Sequence, residues 1–128
     1  MSLRGLFFAA FFSLAFSSLA SAVEKQAFTP KAFVAAQTAG RSILVEIHAP
    51  WSSTCREQHP IVEELERDPK FRNLQVFHID FDSQKGAVRS LKATMQSTLI
   101  VFKGSEETGR SVGDADPESI AALLEKAL

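Results

Sequence analysis

The chain has 128 residues, of which 45% are hydrophobic and 23% charged, and its formal net charge is −1. This length and composition fit one globular domain. The near balance of charges excludes the basic surface of a non-specific nucleic-acid binder, because phosphate neutralisation requires clustered Lys and Arg. Cys55 is the one cysteine of the sequence. An internal disulfide framework and a zinc site built mainly from thiolates are therefore also excluded.

The N-terminal segment has the pattern of a secretory signal peptide. A positive charge at Arg4 precedes an apolar stretch over residues 6–16, and the small residues 20–22 form an A-S-A cleavage site. An uncleaved membrane anchor is the alternative, but serines interrupt a span shorter than the roughly 20 apolar residues that a transmembrane helix needs. We therefore predict residues 1–22 as a signal peptide, with cleavage before Val23 and export to an oxidising compartment.

The first half of the remaining chain alternates between helix and strand. Thr29 and Pro30 are typical of a helix start, and the apolar residues that follow predict a helix over 30–38 that stops before Gly40. The stretch 42–48 is almost continuously apolar and β-branched, as in a strand covered on both faces. Helical spacing then predicts a second helix after Cys55 that Pro60 bends and that ends before Asp68 and Pro69.

The second half adds strands, two helices and a hairpin. The predicted elements are a strand over 74–81, a helix capped by Asp82 or Ser83 that runs through Val88 and Leu91, an antiparallel hairpin of 98–104 and 108–113, and a helix from Asp116 and Pro117 to the C-terminus. Alternating strands and helices favour parallel crossovers, and the hairpin adds an antiparallel edge. The predicted fold class is α/β, with one mixed sheet between helical layers over residues 23–128.

The most informative segment reads ILVEIHAPWSSTCREQHP and covers residues 43–60. A buried strand ends in a loop with Trp51, and a helix then begins near Cys55. This order resembles the active segment of the thioredoxin family, where a strand, a WCxxC motif and a proline-kinked helix follow one another. Trp51 and Cys55 match the family's tryptophan and second cysteine. Pro60 matches the helix proline, and Glu46 matches a buried strand acid that is usually aspartate in the family.

The resemblance extends over nearly all of residues 23–128, because QSTLIVFKG, a hairpin and a last helix match the family's second half. It implies a thioredoxin-like fold, with helices on both faces of a mixed sheet and a C-terminal antiparallel hairpin. The segment CREQHP is similar to the one that follows the active site in periplasmic thioredoxin-like proteins, which implies a periplasmic location. The implied activity is thiol–disulfide exchange with client proteins, without a cofactor. The sequence itself contains no Gly-rich phosphate loop.

Two positions depart from the family pattern. Ser52 stands where the family has its first, exposed cysteine, so the motif here is Ser-Ser-Thr-Cys and the dithiol is lost. Ser97 stands where the family has a cis-proline that borders the substrate groove. A cis bond before a residue other than proline costs several kcal/mol, so we expect a trans peptide and an altered groove.

Thiol–disulfide exchange needs an attacking thiolate and a second thiol that resolves the mixed disulfide. Cys55 can attack but has no internal partner, so an external thiol from a client or a small molecule must resolve it. In this hypothesis Ser52 hydrogen-bonds the Cys55 thiolate and Glu46 exchanges its proton. Trp51, Gln96 and Ser97 line the substrate groove.

Two other functions stay open. Free cysteine is often a small buried hydrophobe, and the protein would then be a non-catalytic module that binds clients in the same groove. Cys55 and His59 lie four residues apart on one helix face, and with His48 and Glu46 they offer mixed ligands to zinc or copper, although this pattern is weak. Substitution of Cys55 separates the alternatives, since it abolishes exchange, spares client binding and weakens metal binding.

Overall fold

The computed structural model describes residues 5, 9–15 and 23–128 of the chain. The predicted cleavage site at residues 20–22 and most of the predicted signal peptide lie outside these residues. Within the described part, no helix is both long enough and apolar enough to cross a membrane.

Within residues 23–128, five strands form a single mixed sheet in the order β1-β3-β2-β4-β5. They are β1 (Glu24–Ala27), β2 (Ser42–His48), β3 (Gln75–Asp80), β4 (Thr98–Lys103) and β5 (Glu106–Val112). The first three strands run parallel, and β4 and β5 add an antiparallel edge beside β2. This arrangement confirms the predicted mixed sheet with a C-terminal hairpin.

In the same described part of the chain, four α-helices and one 3₁₀ turn accompany the strands. They are α1 (Pro30–Thr38), α2 (Ser53–Glu66), the turn Pro69–Phe71, α3 (Lys85–Ser90) and α4 (Pro117–Glu125). The side chains of α1 and α3 share one apolar cluster with one face of the sheet, and those of α2 and α4 share a second cluster with the other face. The prediction of helices on both faces is therefore confirmed.

The two faces of the sheet have different cores. On the α1 face, four phenylalanines meet edge-on or tilted, with ring centroids 5.1–6.1 Å apart. Aromatic pairs in these geometries add stability beyond the area they bury. The α2 face is aliphatic near α4, where Leu99, Val101 and Leu124 are fully buried. Towards β1 the same face becomes polar, because Lys25 on β1 contacts Glu66 of α2 there.

Several predicted elements have the predicted bounds, and others differ. Helix α1 and strand β2 match, but β1 and the 3₁₀ turn were not predicted. The second helix begins at Ser53, two residues before Cys55, because Ser52 is its N-cap. The third helix is a short α3, and Asp80 rather than Asp82 or Ser83 accepts the hydrogen bonds that precede it. The hairpin turns earlier than predicted, so that β5 begins at Glu106.

Candidate functional site

The sulfur of Cys55 lies in the first turn of α2, at the end of the helix that carries the positive end of the dipole. Ser52 caps this helix, and its Oγ accepts a hydrogen bond from the backbone N–H of Cys55 at 3.2 Å. Ser52 was predicted to hydrogen-bond the Cys55 thiolate. The hydrogen bond between these two residues is instead the one that Ser52 Oγ accepts from the backbone N–H of Cys55, and it fixes the position of Cys55 in the turn. Cys55 itself is only 1% exposed.

The hydrogen-bonding partner of the sulfur is Ser97. Its Oγ lies 2.7 Å from Cys55 Sγ and 3.5 Å from Ser52 Oγ. The peptide bond before Ser97 is trans, as predicted, and Ser97 has a φ of +57° in the left-handed region. Non-glycine residues rarely adopt this conformation, and it aims the side chain at the start of α2. Ser97 was predicted to line the groove, and it lies buried beneath the surface.

Gln58 holds the backbone of Ser97 in place. Its side-chain N–H group donates to the carbonyl oxygens of Ser97 at 3.1 Å and of Asp114 at 2.9 Å, and Gly113 N–H donates to Ser97 O at 2.9 Å. Sequence reasoning missed Gln58. The available signal was its position three residues after Cys55, which places both residues on one face of the helix.

Exposed apolar side chains flank the buried serines. Trp51 is 58% exposed, and its indole N–H donates to the Asp82 carboxylate at 2.7 Å. Met95 lies two residues before Ser97, and Val112 on β5 pairs with Thr98, the residue after Ser97. Their exposures are 48% and 58%. Of the predicted groove residues, Trp51 is exposed and Gln96 is half-buried, while Met95 and Val112 were missed.

Further along α2 a charged cluster lies against the sheet. Glu46 on β2 is buried, and its Oε2 is 3.3 Å from His78 Nδ1 and 3.5 Å from His59 Nδ1. His59 also contacts Glu63 through Nε2 at 3.1 Å. Although burial works in the opposite direction, the two histidines lower the pKa of the Glu46 carboxyl. The hydrogen bond to Glu46 raises the pKa of His59 above its usual 6.5.

A second buried acid extends this cluster. Glu66, near the end of α2, contacts the ammonium group of Lys25 on β1. Burial, opposed in part by Lys25, raises the pKa of Glu66 to about 7. Glu46 Oε1 and Glu66 Oε1 are both buried without a hydrogen-bond partner in the described part of the chain. Lys25 was not singled out from the sequence, because its contact with Glu66 depends on the pairing of β1 with β3.

The metal hypothesis combined Cys55, His59, His48 and Glu46. The structure brings three of them together, since the His48 and His59 rings are 5.6 Å apart and His59 contacts Glu46. Cys55 instead has its contact with Ser97. Across residues 5, 9–15 and 23–128, no group of three or more His, Cys, Asp or Glu side chains has an arrangement that could hold a metal ion.

The chain is similar to known thioredoxins. The thioredoxin family model matches residues 22–126. Thioredoxin of Staphylococcus saprophyticus is 31% identical over 85 residues, which are 66% of this chain and 81% of that protein. The chloroplastic thioredoxin M4 of Arabidopsis thaliana is 32% identical over 88 residues, 67% of this chain, and the match spans only 44% of the longer plant protein.

Solved structures show the same likeness. The crystal structure of Trxlp from Edwardsiella tarda has a TM-score of 0.76 and 33% identity, and covers 79% of this chain and 98% of its own. Malassezia sympodialis thioredoxin has a TM-score of 0.70, with 83% of this chain and 96% of its own covered, but only 20% identity. The second comparison therefore bears on the fold alone.

Proposed function

The chain belongs to the thioredoxin family, and on that premise we propose that it takes part in thiol–disulfide exchange through Cys55 alone, without an internal resolving thiol. One observation carries the proposal. The sulfur of Cys55 lies in the first turn of a helix and within 2.7 Å of a hydroxyl group. A helix N-terminus and a hydroxyl donor both favour the thiolate, which is the nucleophilic form of cysteine.

The reaction has two steps, and this chain supplies the nucleophile for the first. The Cys55 thiolate attacks one sulfur of a client disulfide, so that a mixed disulfide forms and the other client sulfur leaves as a thiolate. An external thiolate then attacks the client sulfur of the mixed disulfide and releases Cys55. The external thiol becomes joined to the client, and Cys55 returns to its starting state. Ser52 cannot replace this second thiol, because its hydroxyl neither forms nor breaks disulfides.

The missing cysteine has a kinetic consequence. Well-oriented intramolecular groups react with effective concentrations on the order of 10⁵ M or more, and no external thiol approaches that value. The mixed disulfide of this protein is therefore long-lived. Its clients are proteins that carry accessible thiols or disulfides, and the exposed Trp51 and the half-buried Gln96 contact them beside the sulfur.

Glu46 is proposed to exchange the proton of Cys55, as its family position implies. Its Oε2 lies 3.5 Å from His59 Nδ1 and 3.3 Å from His78 Nδ1. Export to the periplasm is part of the same proposal and is supported by the signal-peptide pattern of residues 1–22. The mass of the protein recovered from a periplasmic fraction tests cleavage before Val23.

The burial of Cys55 favours a second candidate, a non-catalytic client-binding module. Cys55 is only 1% exposed, so its sulfur meets a client only after the backbone around Ser97 moves. Trp51, Met95 and Val112 are exposed without any such movement. Such a module binds extended apolar segments of clients without a covalent step.

Intact mass spectrometry separates the two candidates. The purified protein is incubated with glutathione disulfide at neutral pH, with Cys55→Ser as the blank. We expect the wild type to accumulate a single glutathione adduct. Ser52→Cys, which restores the family's first cysteine, should instead form an internal disulfide and retain little adduct.

An adduct that forms only after the wild type is denatured would overturn the exchange proposal. The client-binding module would then be the better description. In that case Cys55→Ser should bind reduced, unfolded client chains as tightly as the wild type does.

A further inference from the structure

We infer that Ser97 is a catalytic residue, whose hydroxyl group donates a hydrogen bond to the sulfur of Cys55 and stabilises the thiolate. This inference rests on the proposed function, because it concerns the same thiol. Its evidence is separate, however, and lies in the hydrogen-bond directions and the backbone around Ser97.

The direction of the hydrogen bond to the sulfur is fixed once Cys55 ionises, because a thiolate has no hydrogen to donate and can only accept. Ser52 Oγ accepts the backbone N–H of Cys55, so the hydroxyl hydrogen of Ser52 is free for another acceptor. Ser97 Oγ, at 3.5 Å, is the acceptor in reach. Either Ser97 Oγ or Cys55 Sγ can donate across the 2.7 Å that separate them while the thiol is neutral, and Ser97 is the donor once the thiolate has formed. Consecutive hydrogen bonds polarise and strengthen one another, and here the thiolate sulfur accepts the last of them.

The backbone holds Ser97 in this position. Its φ of +57° is costly for a serine, and such strain persists only where surrounding contacts impose it. Gln58 and Gly113 supply those contacts, because both donate to the carbonyl oxygen of Ser97. Gln58 lies on the same helix as Cys55, so the helix that carries the sulfur also holds its donor. Gln58 is therefore a positioning residue that acts through Ser97.

The charged groups near this end of α2 are engaged elsewhere. Arg56 donates to the carbonyl of Pro50 at 3.2 Å, and His59 contacts Glu46 and Glu63. Glu46 on β2 contacts His59 and His78, and the Asp114 carboxylate accepts from Ser119 and from the backbone N–H of Asp116. Among the described residues, Ser97 is thus the side chain that hydrogen-bonds the sulfur.

A spectroscopic titration tests the inference without any reagent that must reach the buried sulfur. A thiolate absorbs in the ultraviolet where a thiol does not, and the chain has no tyrosine whose ionisation would mask the signal. The absorbance of each variant is followed against pH, and Cys55→Ser is subtracted as the blank. Ser97→Gly removes the hydroxyl and suits a positive φ, so it isolates the lost donor from backbone strain.

We expect the midpoint of thiolate formation in Ser97→Gly to lie about one pH unit above that of the wild type, the size expected for a hydrogen bond to a charged group. Ser111→Ala is the matched control. It removes a buried hydroxyl that has no partner in the described part of the chain, and its midpoint should equal that of the wild type. Gln58→Met should shift the midpoint in the same direction as Ser97→Gly, by less.

A midpoint in Ser97→Gly that equals or lies below that of the wild type would overturn the inference. A lower value would mean that the thiol donates to Ser97, which stabilises the neutral form. The titration reads only the ionisation of Cys55, whereas the glutathione adduct reads disulfide exchange. Failure of the exchange proposal and failure of this inference are therefore distinguishable.

Discussion

The two ends of α2 bury polar groups in opposite ways. At the N-terminal end, Ser52, Cys55 and Ser97 are joined by hydrogen bonds between groups that carry no formal charge at neutral pH, apart from any thiolate. Towards the C-terminal end, the charged side chains of Glu46, Glu66 and Lys25 meet against the sheet, and two carboxyl oxygens lack a hydrogen-bond partner among the described residues.

The first end of the helix therefore serves the reactivity of Cys55, and the second end sets how stability depends on pH. Buried polar groups that are fully hydrogen-bonded hold a defined geometry, which a reactive sulfur requires. Burial of Glu66 raises its pKa to about 7, so this acid takes up a proton and its contribution to stability changes with pH. We therefore expect changes at the N-terminal end of α2 to alter reactivity. Changes at the other end should alter the pH dependence of the free energy of unfolding.

The largest effect is expected from Lys25→Met, which removes the cation that contacts Glu66. At pH 8 Glu66 is mostly ionised, and we expect a loss of about 2–3 kcal/mol in the free energy of unfolding, less than for a fully buried pair because Lys25 is partly exposed. At pH 5.5 Glu66 is protonated and needs no cation, so the loss should be much smaller. Urea unfolding at both values measures the difference, and equal losses would contradict the assignment.

The next effect is that of Glu66→Gln. The pKa of Glu66 is raised from 4.5 to about 7, so the folded protein holds this proton more tightly than the unfolded chain does. The resulting stability is fully present below pH 4.5 and is lost as pH rises through about 7. His59, whose pKa is also raised, contributes with the same sign.

Urea unfolding of the wild type between pH 4.5 and 8 should therefore show a decline in stability of roughly 2 kcal/mol, after an allowance for solvent screening. Glu66→Gln should flatten most of this decline and should be the more stable protein at pH 8. Glu64→Gln, an exposed acid on the same helix, is the matched control and should retain the wild-type slope. A wild-type slope in Glu66→Gln would show that another group titrates in this window.

The smallest effect on stability is expected from Gln58→Met, at the hydroxyl end. The substitution keeps the volume but leaves the Asp114 carbonyl without its side-chain donor, at a cost of about 1 kcal/mol. In a Cys55→Ser background, where no thiolate forms, no charge is involved and the loss should be the same at pH 5.5 and at pH 8. A strongly pH-dependent loss would mean that the two ends of the helix are coupled.

The sequence predicted the elements that local patterns determine. The Thr29–Pro30 start and Gly40 stop fixed α1, and the β-branched run from Ser42 fixed β2. Strand β1 was missed because its four residues are exposed and mostly polar, and it is a strand only through pairing with β3. The start of α2 was placed too late because residues 51–54 were read as a polar loop, whereas Ser52 is the helix cap.

Within the site, the sequence by itself determined which groups are present: a single thiol, a serine in place of each of two family residues, and a strand acid at Glu46. The family resemblance followed from the order of those groups along the chain. Only the tertiary structure decided which of them touch. Ser97 and Cys55 are 42 residues apart in the chain, and Lys25 on strand β1 reaches Glu66 on helix α2. Side-chain contacts over such separations depend on the order of the strands, the rotation of the helix and the positive φ of Ser97. A local pattern of residues contains none of these.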